Sequence, residues 1–196
     1  ARADAQRELL SALASLEPAD AVDAVTKAAM EERHGLQLEI HDAGEHLRDL
    51  NVIASPVQEV RDIFDLMAHE TTEDWEVIAA RLSAVPAAMD GYMASLAEGR
   101  RRGTVPALRQ VEAVIKQADE LADSDESFFT SFVAGARPDG REPGAALGAA
   151  LEQGARDARQ AYADLAAFLG GELAPNAPTE DAVGRERYLR FSRLFL

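Results

Sequence analysis

Apolar residues recur along this chain at intervals of three and four, the spacing that aligns them on one face of an α-helix. Leu9, Leu10, Leu13 and Leu16 predict a first helix over residues 2–16, with all four leucines inward. Pro18 suits the first turn of a second helix, where a missing N–H costs nothing, and Val22, Val25 and Ala29 follow on its inner face. Gly35 interrupts. Leu36, Leu38 and Ile40 alternate as in a short strand, yet Leu36, Ile40, Ala43, Leu47 and Leu50 fit a helical stripe over a longer span, and helix is favoured.

Ser55-Pro56 marks the next start, with Val57, Val60, Ile63 or Phe64, and Met67 facing the core. Thr71 or Thr72 caps a segment holding Trp75, Ile78, Ala79 and Leu82. Pro86 opens another, with Met89, Tyr92 or Met93, and Leu96 inward, ending near Gly103. Thr104-Val105-Pro106 begins a helix carrying Leu108, Val111, Ile115, Ala118 and Ala122. Ser124 or Asp125 caps a short helix with Phe128, Phe129, Phe132 and Val133. After a Pro/Gly-rich loop near 136–144, Leu147, Leu151, Ala158, Tyr162, Leu165 and Leu169 share one face of a long helix. Gly170-Gly171 stops it, and a second linker ends at Pro178. The last segment runs from Thr179 and contains Tyr188, Phe191, Leu194, Phe195 and Leu196.

The pattern predicts an all-α, multi-helix bundle: one helical domain or fragment over residues 1–196, with loops near 136–144 and 170–178. Because the chain stops on three apolar residues instead of a polar, frayed tail, it is expected to be the front portion of a larger protein.

Composition narrows the function classes. With 47% hydrophobic residues the chain can bury a core. Thirty-five acids against 20 bases leave a net charge of −15, a field that repels a phosphate backbone, so no nucleic-acid partner is expected. The basic run Arg100-Arg101-Arg102 sits where a helix ends, and cations there favour the negative end of the helix dipole. No cysteine is present, which excludes disulfides, thiol nucleophiles and thiolate metal sites and fits a cytoplasmic setting. The chain begins at Ala1 without Met, so a removed signal segment leaves no trace and a secreted form stays open. No apolar run approaches the ~18 residues of a membrane span.

Chemistry is sparse. His41-Asp42-Ala43-Gly44-Glu45-His46 is superficially like a metallopeptidase helix, but the usual zinc helix spaces its histidines four apart with Glu beside the first. A spacing of five splits His41 and His46 across faces, so a solvated helix face is favoured over a metal site. His69-Glu70 has no second ligand in register, and Glu31-Glu32 and Glu73-Asp74 are pairs that so acidic a chain makes by chance. Neither a Gly-x-Ser-x-Gly elbow nor a phosphate-binding glycine loop occurs. Phe128, Phe129 and Phe132 read as core packing before they read as a pocket. Arg185, Arg187, Tyr188 and Arg190 offer guanidinium forks suited to a carboxylate, against the plainer reading of a polar helix face.

One resemblance runs the length of these boundaries. Leu47-Arg48-Asp49-Leu50-Asn51 followed by Ser55-Pro56, Arg61-Asp62-Ile63-Phe64-Asp65, Arg81-Leu82-x-x-x-Pro86, Thr104-Val105-Pro106, Phe128-Phe129 and Val183-Gly184-x-x-x-Tyr188 stand here in that order. In this wording the chain resembles the N-terminal part of a bacterial family known as domain of unknown function 885. Members are mostly longer, mainly helical proteins similar to zinc-dependent peptidases, with a His-Glu-x-x-x-Gly-His-His type of metal helix in their second half. This chain has no such segment. The resemblance therefore implies a non-catalytic helical portion that walls or covers a substrate cleft, with no cofactor of its own. Zinc and the activating Glu would be supplied from beyond Leu196.

On that reading Arg185 and Tyr188, next to the missing half, are the expected substrate-side residues. The expected partners are that missing C-terminal part and a peptide substrate. The alternative is an acidic helical-bundle interaction module without enzymatic activity, which docks a partner helix or forms a homo-oligomer.

Overall fold

The computed structural model describes residues 2–123 and 127–195. Among them the chain is all-α, with no strand. The helices are α1 (Arg2–Ala14), α2 (Ala21–Asp42), α3 (Pro56–Asp62), α4 (Thr72–Arg101), α5 (Leu108–Ala122), α6 (Phe128–Ala134), α7 (Ala145–Phe168) and α8 (Arg185–Ser192). They fall into two compact units. One comprises residues up to His46 together with those from Ala182 onward, and the other runs from Leu47 to Asp181.

In the first unit α1 and α2 form a hairpin. Pro18 lies in the turn, not in α2; Asp20 caps α2 instead, accepting from the N–H groups of Val22 (2.8 Å) and Asp23 (2.9 Å). The inner stripe also differs from expectation, since Leu16, Val22 and Val25 are exposed. The packed face is the one α1 and α8 cover, and Leu36 is its buried residue. Gly35 does not interrupt α2, because a helix interior tolerates a single glycine at about 1 kcal/mol.

In the second unit α4 packs most extensively on α7, and α5 lies on α7 as well. Trp75, Ile78, Leu82, Val85, Met89 and Leu96 of α4 meet Leu151, Ala158, Tyr162 and Leu165 of α7, and Val111, Val114 and Ala118 of α5 close the core. The helices approach closely where α7 is small: a Cβ on Gly154 would stand 2.7 Å from the Leu82 Cβ.

Pro86 does not open a helix but lies inside α4. Its ring removes one backbone bond and crowds the preceding turn, at about 3 kcal/mol. The apolar stripe continues unbroken on both sides of it, so burial along α4 outweighs that local penalty. Similarly, Gly170-Gly171 do not stop α7. A π-helical turn, Leu169–Leu173, carries the chain on because Leu169 and Leu173 are both fully buried.

Other boundaries follow local rules. Thr71 and Asp74 form a capping box: the Asp74 N–H donates to Thr71 Oγ1 (3.2 Å), and the Thr71 N–H donates to Asp74 Oδ2 (2.9 Å). That N–H, with the hydroxyl, holds the Asp74 carboxyl below the ordinary carboxylate range. A second clamp comes from Asp139 (φ 53°), whose Oδ2 accepts from the Thr72 hydroxyl (2.7 Å). The expected cap at Ser124 or Asp125 lies outside the described residues; Ser127 Oγ accepts from the Phe129 N–H (3.2 Å) at the start of α6.

The segment between Leu50 and α3 is tied down residue by residue. Asn51 Oδ1 accepts from the N–H groups of Ile53 and Ala54 (both 2.8 Å), an Asx turn. The Ser55 N–H donates to Gln58 Oε1 (3.0 Å) as Pro56 opens α3. Two glutamines of α5, one above the other on its face, then pin the loop: Val52 N–H donates to Gln110 Oε1 (3.2 Å), and Gln117 Nε2 donates to the Val52 carbonyl (3.1 Å). Tyr92 donates to the Asp49 carbonyl and Tyr162 to the Val57 carbonyl, both at 2.7 Å, and burial raises both phenols above their ordinary value.

The tightest backbone approach in this unit is at Gly99, where a Cβ would meet the Leu47 carbonyl oxygen at 2.2 Å and that of Thr104 at 2.7 Å. Neither atom belongs to a flexible side chain, so the backbone itself must shift. Gly99→Ala is expected to destabilise by about 1–3 kcal/mol despite the better helix propensity of alanine. Urea denaturation checks this; equal or greater stability would show that the 47–50 segment yields freely.

Candidate functional site

The final helix brings the sequence-predicted residues onto two opposite faces. Arg187, Arg190 and Arg193 recur every three residues and form one ridge. That ridge lies along acids of α2 and the turn after it. Arg187 Nε stands 2.8 Å from Glu45 Oε2, and Arg190 Nη1 stands 3.4 Å from Glu45 Oε1. Arg190 also reaches Glu39 (3.5 Å), while Arg193 bridges Glu39 (2.5 Å) and Glu32 (3.3 Å). Rising arginine numbers meet falling glutamate numbers, so α8 runs antiparallel to α2.

Glu45 reaches this place through a local turn. After α2 ends at Asp42, Gly44 adopts φ +74°, a conformation that glycine takes without strain. The Gly44 N–H donates to the His41 carbonyl at 2.8 Å, and a 3-10 turn over Glu45–Leu47 follows. Glu45 is left 5% exposed. A carboxylate so buried needs cations and donors around it, and the two guanidiniums supply them. Of the guanidinium forks suited to a carboxylate, those of Arg187 and Arg190 pair with an internal one. No local spacing gives that away, because Glu45 and Arg187 are 142 residues apart.

Arg185 and Tyr188 lie on the other side of α8. Three residues apart, they share one outward face, and Tyr188 is 65% exposed. Neither side chain bonds to another described residue. Leu189 beside them is also exposed.

The histidines are arranged differently from expectation. The turn at Gly44 brings the His41 and His46 rings together, stacked with centroids 4.1 Å apart and planes 11° from parallel. Imidazole nitrogens ligate in the plane of the ring, so two parallel stacked rings do not converge on one ion. Among the described residues no group of three or more His, Cys, Asp or Glu gathers as a metal-holding cluster. His69 hands its carbonyl to the Trp75 indole N–H (2.8 Å). Of the carboxylate pairs, Glu32 joins the α8 seam and Asp74 caps α4. Phe128, Phe129 and Phe132 pack with Phe64 as core. Arg101 and Arg102 pair with Glu98 at the end of α4, and Arg100 stands 3.0 Å from Glu172.

No described helix is long and apolar enough to cross a membrane. Comparison with curated proteins returns no match. The model of the family described as bacterial protein of unknown function (DUF885) matches residues 1–196, and the chain belongs to that family.

Proposed function

We propose that this chain is the helical, non-catalytic portion of a zinc-dependent peptidase and shapes or covers the cleft that receives a peptide. The outer face of α8 carries this reading: Arg185 and Tyr188 stand exposed on a helix whose opposite ridge is fixed to Glu45, Glu39 and Glu32. A guanidinium fork and a phenol hydroxyl on a rigidly held element suit the carboxylate or amide of a peptide. Zinc does not fit the residues described, given the stacked imidazoles and the lack of a ligand cluster, so no hydrolytic step is assigned to them. On this reading the metal and its activating glutamate belong to sequence beyond residue 196.

The assay is peptide hydrolysis by the full-length protein with zinc restored. Arg185→Ala is expected to raise KM about tenfold with kcat little changed, the mark of lost uniform binding. Failure to cleave any peptide in broad libraries overturns the peptidase reading. Cleavage with an unchanged KM in Arg185→Ala removes Arg185 alone.

A second reading, an acidic helical interaction module without enzymatic activity, is favoured by Val22 and Val25. They sit one turn apart on α2 and are 72% and 70% exposed. Val22→Lys/Val25→Lys would then abolish concentration-dependent self-association in sedimentation equilibrium. A chain that stays monomeric at every concentration speaks against the homo-oligomer.

A further inference from the structure

The first compact unit contains a cleft of about 490 Å³ walled by α1, the end of α2, α8 and the turn that follows α8. That volume suits a small organic molecule. Ile40, Phe191 and Leu194 give the cleft an apolar side, and Arg2, Gln37 and His41 give it a polar one. We propose that it binds a small monocarboxylate with an aromatic or branched apolar body.

The choice of ligand follows from which charges are already spent. Arg7, also on the wall, is neutralised by Asp4 (3.0 Å) and Asp42 (2.6 Å). The Arg2 side chain makes no bond to another described residue, so its fork is open to a carboxylate. His41, stacked on His46, adds an imidazole edge with at least one N–H donor. Because Arg7 is shared by two carboxylates, this part of the wall stays net negative and disfavours a second carboxylate on the ligand. With the chain at −15, long-range attraction of anions is absent, and the apolar body must supply much of the affinity.

Phenylacetate is the probe, titrated into the full chain while the imidazole C–H signals of His41 and His46 are followed by NMR. Saturable shifts are expected, with uncharged phenylacetamide about tenfold weaker and doubly charged phenylsuccinate no tighter than the monoacid. Arg2→Ala, at an exposed position, should reduce phenylacetate to the level of the amide and leave amide binding unchanged. Gln37→Trp, which fills the cleft from an exposed position, should abolish both. The proposal is overturned if neither imidazole shows a saturable shift, if acid and amide bind equally, or if Arg2→Ala leaves phenylacetate binding intact.

Discussion

Phe64→Ala is expected to remove about 3–5 kcal/mol of stability from the Leu47–Asp181 unit. Phe64 is 1% exposed, and its ring is within 6.4 Å of Phe128 and 5.9 Å of both Phe129 and Phe132. The cluster continues outward from there. Phe132 meets Trp75 at 5.4 Å, and Phe129 meets Tyr162 at 5.5 Å, so the turn that follows α3 converges here with α4, α6 and α7. An alanine leaves a cavity that these large rings cannot collapse into without leaving their rotamers, and each lost ring pair adds to the transfer term. Trp75 is the only tryptophan of the chain and lies in this cluster, so its fluorescence reports unfolding of this unit specifically. Phe64→Leu, closer in volume, should cost under about 1.5 kcal/mol. A Phe64→Ala transition in urea within about 1 kcal/mol of wild type would show that the cluster repacks and is not the keystone of the core.

What could be read in advance divides along a physical line. Helix starts fixed by short-range bonding were legible, because cap and capped group lie within four residues of each other: Ser55-Pro56 ahead of α3, Thr71 ahead of α4. The stripe of α7 was legible too, since its buried residues share one face, which α4, α5 and α6 cover. Pro86 misled because a local rule of about 3 kcal/mol competes with burial summed over the whole of α4, and the sum is not visible locally. Val22 and Val25 misled because periodicity shows that a helix has an apolar face, not whether a neighbour covers it. At the candidate site, the shared face of Arg185 and Tyr188 follows from their spacing of three. The pairing of Arg187 and Arg190 with Glu45 is long-range and had no signal in either segment alone. Gln110 and Gln117, seven apart on α5, do carry a local signal, a polar edge two turns long where the 50–55 loop is held.

Glu45→Gln is expected to loosen α8 and lower the stability of its unit by about 2–3 kcal/mol. Removing the charge from one partner of a buried ion pair costs about 3–5 kcal/mol, because the partner left behind is desolvated without compensation. Here the loss falls at or just below the bottom of that range. The Arg187 and Arg190 side chains are 29% and 20% exposed and can swing partly into water, while Glu45 at 5% cannot. The glutamine amide keeps the shape of the carboxylate but turns a donor group toward two guanidiniums that are donors only. When Arg190 is replaced Glu45 keeps Arg187 and Glu39 keeps Arg193, so Arg190→Gln should cost less than Glu45→Gln. Hydrogen exchange over residues 185–192 is the direct readout, since α8 would open by itself before its unit unfolds. Faster exchange there, with α1 and α2 protected as before, is the expected result; unchanged protection would mean that Phe191 and Leu194 hold α8 without the ionic seam. The two faces of α8 make this a test of function as well. If Arg185 and Tyr188 contact substrate in the full-length protein, Glu45→Gln should raise KM although Glu45 faces away from them, and restoring a carboxylate with Glu45→Asp should recover part of that loss.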